Sequence, residues 1–413
     1  MKKRIDVADL REGMYVSELD RPWTTTSFLF QGFEITGPDQ IEQLQRACRY
    51  VFIDLTRERV LRPRAVLVGD VADAAVLPLN SRFAGVSGKR NYPSETVAVE
   101  QEIDAARVLE AQGRNLVHTI MDDVRLGHSL DAAGSRDVVS GMVQSVIRNP
   151  DALVWFTHLR KTDEYTAVHS LRVCILALTF GRHLGLAPAE LNLLGIGALL
   201  HDIGKLKVST EILNKPARLT RPEYELMKRH VPEGVSILEA TKGVPAAAIE
   251  VARNHHEHYS GSGYIMGVRG DRIGLFGLIG AVVDAYDAIT SDRIYQKAVS
   301  PHEALKKLYD GRGTQFHGEL VEQFIQCMGV YPIGSVVEMR SGAIGVVVTV
   351  NRTRRLRPRI ALILDADKHP LSSALILDLG DETARADPGN AIRRVLPAGA
   401  FGIDATAYLP QAV

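Results

Sequence analysis

The residues of this chain best suited to chemistry are imidazoles and carboxylates set close to apolar runs. His201 is followed at once by Asp202, at the end of Leu199-Leu200, and Lys205 comes four residues after the histidine. Neither a His nor an Asp belongs in a core without a partner. On a helix these three residues share one face. An imidazole, a carboxylate and an ammonium together suggest a metal centre beside an anionic substrate. Further metal-capable residues are His169, His230, the pair His255-His256 ahead of Glu257, and Asp284 in the otherwise apolar stretch 281–287. The set holds five imidazoles and two carboxylates. One ion takes about four to six N or O ligands, so the set is too large for one ion and suits two that share a carboxylate. Asp202 is the natural bridge, because a carboxylate has two oxygens and a neutral imidazole offers one nitrogen. A donor set without thiolate suits Fe, Mn or another non-soft divalent ion better than a structural zinc site.

The region that must position these residues reads as helical from about residue 137. Periodicity predicts helices over Val138–Ile147, Ala152–His158, Thr166–His183, Pro188–Leu206, Ala246–His255, Leu275–Thr290 and Leu320–Met328. Capping-box patterns with an early proline open two more, at Thr220 with Glu223 and at Ser300 with Glu303. Residues 259–271 are glycine-rich and are expected as a loop. After Ile333-Gly334 the pattern turns β-rich, with strands over Ser335–Met339, Ile344–Val350 and Ile360–Leu364 and little pattern beyond about residue 384.

Ahead of the helical region, residues 1–60 read as a small mixed unit. It has strands at Met14–Val16 and Tyr50–Asp54 and a helix over Ile41–Arg49, with Trp23 and Phe28 to Phe33 filling a small core. Residues 61–93 carry Pro63, Pro78 and Pro93 and read as a linker or loop. A helix from Ser94 to about residue 126 follows within a connecting segment, 94–136. His118 and His128 lie along it and are read as surface or packing residues.

Composition narrows the function classes. The 413 residues carry 49 basic and 49 acidic side chains, with no net charge. No basic excess exists to release counterions from a nucleic-acid polymer, so a polymer partner is not expected. Cys48, Cys174 and Cys327 are scattered without a CxxC pair and read as reduced thiols of a cytoplasmic protein. No run approaches roughly 18 apolar residues, so no membrane span is expected.

Residues 150–335 resemble the HD-GYP family, a branch of the HD phosphohydrolases that hydrolyses cyclic di-GMP in bacteria. The matching stretches run in family order: Asp163 to Ser170, Leu200-His201-Asp202-Ile203-Gly204-Lys205, Ile212 to Pro216 with Leu219-Thr220, His230, His255-His256-Glu257, Gly261 to Tyr264, and Asp284 to Arg293. The resemblance implies a multidomain chain. An all-α HD-type helical catalytic domain (137–333) would stand between a small α+β N-terminal domain (1–60) and a β-rich C-terminal extension (334–413). It implies two divalent metal ions, one held by His169, His201, Asp202 and Asp284, the other by Asp202, His230, His255 and His256. A hydroxide bridging the metals would attack phosphorus to give linear pGpG or GMP. Asp202 and Lys205 would carry the catalysis. Lys205, Arg293, Gly263 and Tyr264 would meet the substrate, and Asp287 would orient a ligand from behind. In members with a third metal a Glu lies one turn before the first His; Tyr165 stands there, beside Glu164, so two metals are expected. The stretch Leu10 to Val16 resembles a small domain of unknown function often fused in front of HD-GYP domains.

The loop that names the family departs from its pattern. Typical members read His-His-Glu-Arg-(aromatic)-Asp-Gly-(Ser/Thr)-Gly-Tyr-Pro; here His258, Ser260 and Ile265 replace Arg, Asp and Pro. Ile294 and Gln296 stand where Pro and a basic residue are usual. An Arg–Asp brace and the φ restriction of Pro are lost. A more mobile loop is the expectation, with docking to GGDEF-type cyclases put in question and a homodimer left open. Two other readings stand beside the phosphodiesterase: a non-catalytic cyclic di-GMP receptor or scaffold, and an HD hydrolase of another nucleotide.

Overall fold

The computed structural model describes residues 2–20, 33–35, 37–54, 92, 95–126, 130–157, 165–291, 298–352, 354–397 and 399–408. The chain divides into two units, Met1–Val76 and Leu77–Val413. The linker segment apart from Tyr92, together with Trp23, Phe28, Ser94, His128, Asp163, Glu164 and Arg293, lies outside the described residues.

In the first unit, β1 (Lys2–Asp6), β2 (Tyr15–Leu19), β3 (Phe33–Glu34) and β4 (Tyr50–Asp54) form an antiparallel sheet in the order β1-β4-β2-β3. Helix α1 (Pro38–Ala47) starts on a proline, whose missing N–H costs nothing at that position. Leu44, Val16, Val51 and Ile53 meet in its core with the buried thiol of Cys48. The sequence pattern marks β2, α1 and β4 but not β1. That strand, Lys-Lys-Arg-Ile-Asp, is nearly all charged, and its backbone pairing with β4 places it in the sheet.

The second unit opens with α2 (Val99–Arg125), α3 (Ala132–Arg148) and α4 (Pro150–Phe156). Helix α2, read from the sequence as a connector, packs along α3, α4 and α5 (Tyr165–His183). Next come α6 (Pro188–Leu200), a 3-10 turn (Ile203–Lys207), α7 (Thr210–Leu213), α8 (Arg221–Lys228), α9 (His230–Ala240) and α10 (Ala246–Asn254). The set closes with α11 (Leu275–Thr290), α12 (Pro301–Asp310) and α13 (Gly318–Met328). Helices α6 and α11 are apolar almost all round, and both are buried, as such helices must be. One expectation is corrected here. The helix read through to Leu206 stops at Leu200, and Asp202, at φ −101° and ψ 9°, turns the chain into the 3-10 segment.

The β-rich segment forms a five-stranded antiparallel sheet, β8-β7-β6-β5-β9, from β5 (Val336–Met339), β6 (Ile344–Thr349), β7 (Arg359–Leu364), β8 (Pro370–Asp378) and β9 (Ile392–Val395). A short helix α14 (Glu382–Ala386) precedes β9. The last residues, expected to lack pattern, thus include an edge strand. Its Arg393 and Arg394 hide the alternation, and Arg394 pairs with Glu338 on β5 at 2.6 Å. Buried polar bonds tie the sheet to the helices. Trp155 Nε1–H donates to the Val348 carbonyl at 2.7 Å, and the Asp151 carboxylate accepts from the Val350 N–H at 3.2 Å and pairs with Arg352.

Candidate metal centre

Five pieces of the helical unit converge on one point. His169 projects from α5, His201 and Asp202 sit at the exit of α6, His230 opens α9, His255 and His256 follow α10, and Asp284 and Asp287 lie on α11. Close backbone approach makes this possible. A Cβ on Gly204 would lie 1.9 Å from the His230 carbonyl oxygen, so only glycine lets the turn after Asp202 rest on the first turn of α9.

Asp202 stands in the middle, about 2 % exposed. Its Oδ2 lies 3.4 Å from His169 Nε2 and 3.3 Å from His201 Nε2. Its Oδ1 lies 3.4 Å from His230 Nε2 and 3.8 Å from His255 Nε2. Asp284 Oδ1 reaches His169 Nε2 at 3.0 Å and His201 Nε2 at 3.9 Å. The residues thus divide into two groups, His169 with His201 and Asp284, and Asp202 with His230, His255 and His256.

The other ring nitrogens fix the tautomers. His201 Nδ1 meets the Ala198 carbonyl at 2.8 Å, His230 Nδ1 the Met227 carbonyl at 2.7 Å, and His255 Nδ1 the Ala252 carbonyl at 3.0 Å. A carbonyl only accepts, so each Nδ1 carries the proton and each Nε2 turns a lone pair inward. Asp287 Oδ2 accepts from His169 Nδ1 at 2.7 Å in the same way. The inward atoms therefore face one another as acceptors. His230 Nε2 and His255 Nε2 lie 3.4 Å apart, and buried His201 Nε2 and Asp202 Oδ1 have no hydrogen-bond partner among the described residues. Lone pairs crowded like this in a dry site need cations between them. The donor set fits divalent metal ions, and orientation of each imidazole by an outer acceptor is the usual support of such a site.

Electrostatics agree. Burial pushes His230 and His255 below the ordinary imidazole value and His256 down to about 3, so these rings stay neutral. Burial alone would raise Asp202, but its neighbour His201 and the Lys205 ammonium outweigh it and hold the carboxyl well below its usual range. His169 is the exception: burial would lower it, but hydrogen bonds to Asp202, Asp284 and Asp287 hold it well above, so a metal ion would have to displace the Nε2 proton to be bound there.

Lys205 sits beside the centre with its ammonium on Asp202 Oδ2. The aromatic ring of Tyr264 stacks on His256 at 4.7 Å between centroids. A Cβ on Gly263 would lie 2.2 Å from the His258 nitrogen and 2.5 Å from the His256 carbonyl oxygen, so its local role is to let the loop fold onto its own start. Arg293 falls outside the described residues.

The loop at 257–268 has a brace that its altered residues conceal. Glu257, about 1 % exposed, accepts from the N–H groups of Met266, Gly267 and Val268 at 2.7, 3.1 and 3.1 Å. His258 Nδ1 meets Ser262 Oγ at 3.0 Å, and Ser260 Oγ meets the same hydroxyl at 2.9 Å. Beside the missing Arg–Asp pair, a carboxylate in a ring of backbone donors closes the loop. Its sequence signal was only that Glu257 follows the histidine pair. Sequence reasoning also passed over Tyr224 and Lys228, which lie beside Tyr264. An aromatic and a lysine one turn apart on a helix are too common to stand out.

Three family models match successive stretches of the chain. Residues 2–134 match a domain of unknown function (DUF3391), 155–320 an HD domain, and 336–385 a KOW domain associated with HD domain. The chain is 36 % identical over 382 residues to a cyclic di-GMP phosphodiesterase of Pseudomonas aeruginosa, PA4108, covering 92 % of this chain and 89 % of the relative. It is 34 % identical over 165 residues to a cyclic di-GMP phosphodiesterase of Thermotoga maritima, covering 40 % of this chain and 45 % of the relative. A 3'3'-cGAMP-specific phosphodiesterase of Vibrio cholerae is 33 % identical over 162 residues, 39 % of this chain and 31 % of the relative. Among solved structures, Bd1817, an HDG"Y"P protein from Bdellovibrio bacteriovorus, aligns with a TM-score of 0.46 at 17 % identity, covering 78 % of this chain and 98 % of that one. Fold and site define an HD-domain protein with a metal-capable centre. The chain belongs to the HD-GYP family of HD-domain phosphodiesterases.

Proposed function

We propose that this protein is a metal-dependent phosphodiesterase that opens cyclic di-GMP to pGpG. One observation carries the reading: the two oxygens of buried Asp202 face two separate sets of inward-turned imidazoles. Two divalent ions, Fe or Mn by the donor set, would lower the pKa of a shared water and offset charge on the attacked phosphate. His169, His201, Asp202 and Asp284 would hold one ion, and Asp202, His230, His255 and His256 the other. Asp287 keeps the His169 ring in register through its Nδ1. Lys205, 19 % exposed at its side chain, swings from Asp202 to a non-bridging phosphate oxygen when substrate arrives. Tyr264 closes the His256 side of the site and limits water there. Arg293 supplies a second phosphate contact, as the family resemblance implies.

The named activities of the Pseudomonas and Thermotoga relatives support cyclic di-GMP as substrate, and the Vibrio relatives named for 3'3'-cGAMP keep the substrate class to cyclic dinucleotides. A receptor without chemistry would have no use for the full set of inward-facing ligands. Among the described residues no helix is long and apolar enough to cross a membrane, and we assign the protein to the cytoplasm, where a nucleotide messenger is met.

The test is turnover of cyclic di-GMP by anaerobically purified protein with its metal counted, against His201→Ala and Asp202→Ala. The reading expects pGpG from the wild type and a loss of at least about a thousandfold in both variants. Fully metal-loaded wild type with no turnover sinks it, and equal turnover of other cyclic dinucleotides overturns the substrate assignment.

A further inference from the structure

The metal centre accounts for one phosphate of a substrate that has two. A cyclic dinucleotide also presents a second phosphodiester and two purines, and these must rest on something outside the centre. The outward path from His256 is defined. Its ring is covered by Tyr264, and Tyr264 meets Tyr224 edge to face, with centroids 6.0 Å apart and planes at 82°. Tyr224 is 45 % exposed, a large ring face left to solvent beside a buried site. The Lys228 ammonium lies 5.4 Å from the centre of the Tyr224 ring and 5.7 Å from that of Tyr264. Its other partner is Glu225 at 2.7 Å, and that carboxylate is 59 % exposed, so the pair is weak enough for a phosphate to displace.

Both side chains are also held in place. They stand one turn apart on α8, which runs directly into His230 at the start of α9. The start of α8 is fixed by Glu223, which accepts from the Thr220 N–H at 2.7 Å and pairs with Lys215 at 2.6 Å. An exposed aromatic face next to an ammonium is how proteins take a stacked base and its phosphate, since every base has a π face.

We propose that Tyr224 and Lys228 form the subsite for the far half of the cyclic dinucleotide. Tyr224 stacks a guanine, and Lys228 pairs with the phosphodiester that is not being cut. This rests on the phosphodiesterase reading above, so its test separates the two. The full chain, loaded with Mn²⁺, is assayed on cyclic di-GMP and on bis(p-nitrophenyl) phosphate, which has no second phosphodiester and no base. Binding is measured in parallel by equilibrium dialysis with a hydrolysis-resistant phosphorothioate analogue of cyclic di-GMP, which the loaded protein does not consume. Tyr224→Ala and Lys228→Gln should each raise KM for cyclic di-GMP and Kd for the analogue about tenfold, with kcat and small-diester hydrolysis changed less than about twofold. Tyr224→Trp should restore binding, because it restores the ring.

An unchanged Kd in both variants overturns the subsite. So does an equal loss on both substrates, which would mean that the variants only disturb the loop around Tyr264. Wild type that binds the analogue but cleaves neither diester contradicts the phosphodiesterase reading instead, and the dialysis series then still decides the subsite. Wild type that neither binds the analogue nor cleaves cyclic di-GMP contradicts both.

Discussion

The metal centre and the loop beside it are held in opposite ways. In the centre, side-chain identity does the work: the inward nitrogens of His169, His201, His230 and His255 are each aimed by an acceptor on the far side of the ring, and replacing any one residue changes the donor set. In the loop the backbone does the work: three N–H groups close on one carboxylate, and the side chains at 258, 260 and 265 differ from the family pattern while the closure stands. A site built from side chains constrains its residue types, whereas a loop built on backbone donors constrains mainly its acceptor.

The sharpest way to break this comparison is to remove the acceptor. Glu257→Ala leaves three N–H groups without their buried partner, which should cost on the order of 3 kcal/mol locally. Exchange of the Met266, Gly267 and Val268 amides should then speed up about a hundredfold in hydrogen-exchange mass spectrometry, with the α5 and α6 amides unaffected. Unchanged loop exchange would mean that Glu257 is not the brace. On the centre's side, Asp287→Asn puts an amide where His169 Nδ1 needs an acceptor only. Metal affinity should fall about tenfold to a hundredfold, read by chelator competition. A wild-type affinity would show that the His169 ring is aimed by something else.

Restoring the family pattern should do less. With Glu257 closing the loop, His258→Arg with Ser260→Asp should change kcat/KM by no more than about twofold. A tenfold gain would restore the view that loop disorder limits the enzyme. The smallest effect concerns the exposed start of α8. Lys215 and the Thr220 donors pull the Glu223 carboxyl from 4.5 to about 2. A depressed carboxyl stabilises fully above its unfolded value and loses that contribution as pH falls through its folded value. The stability difference between wild type and Glu223→Gln, from thermal melts, should therefore be constant above about pH 5 and shrink toward pH 2. A difference that grows on acidification contradicts the assignment.

Much of this molecule is legible in its sequence, for reasons that follow the same division. The His201-Asp202 pair, the His255-His256 pair and Asp284 in an apolar helix stand out because polar groups in apolar runs need partners. Helices α5, α10 and α11 stand out because their burial leaves a long period. What sequence conceals is whatever backbone geometry supplies. The turn that ends α6 at Leu200 looks like continuing helix, since Gly204 matters for what it lets approach and not for its propensity. Strands β1 and β9 are masked by charged residues, and β8, an edge strand with Leu375 and Ile376 exposed, has no alternation to find. Tyr224 and Lys228 look like any helix pair until Tyr264 is folded against them.

The central claim is that Asp202 serves two metal sites at once, and metal stoichiometry tests it most directly. Wild type and Asp202→Asn are purified anaerobically, reconstituted with Mn²⁺ or Fe²⁺, and their bound metal is counted by mass spectrometry of the element against protein. A bridging carboxylate predicts two ions per chain in the wild type and loss of both in the variant, with the fold intact by circular dichroism. Retention of one tightly held ion in Asp202→Asn would contradict the bridge and confine Asp202 to a single site.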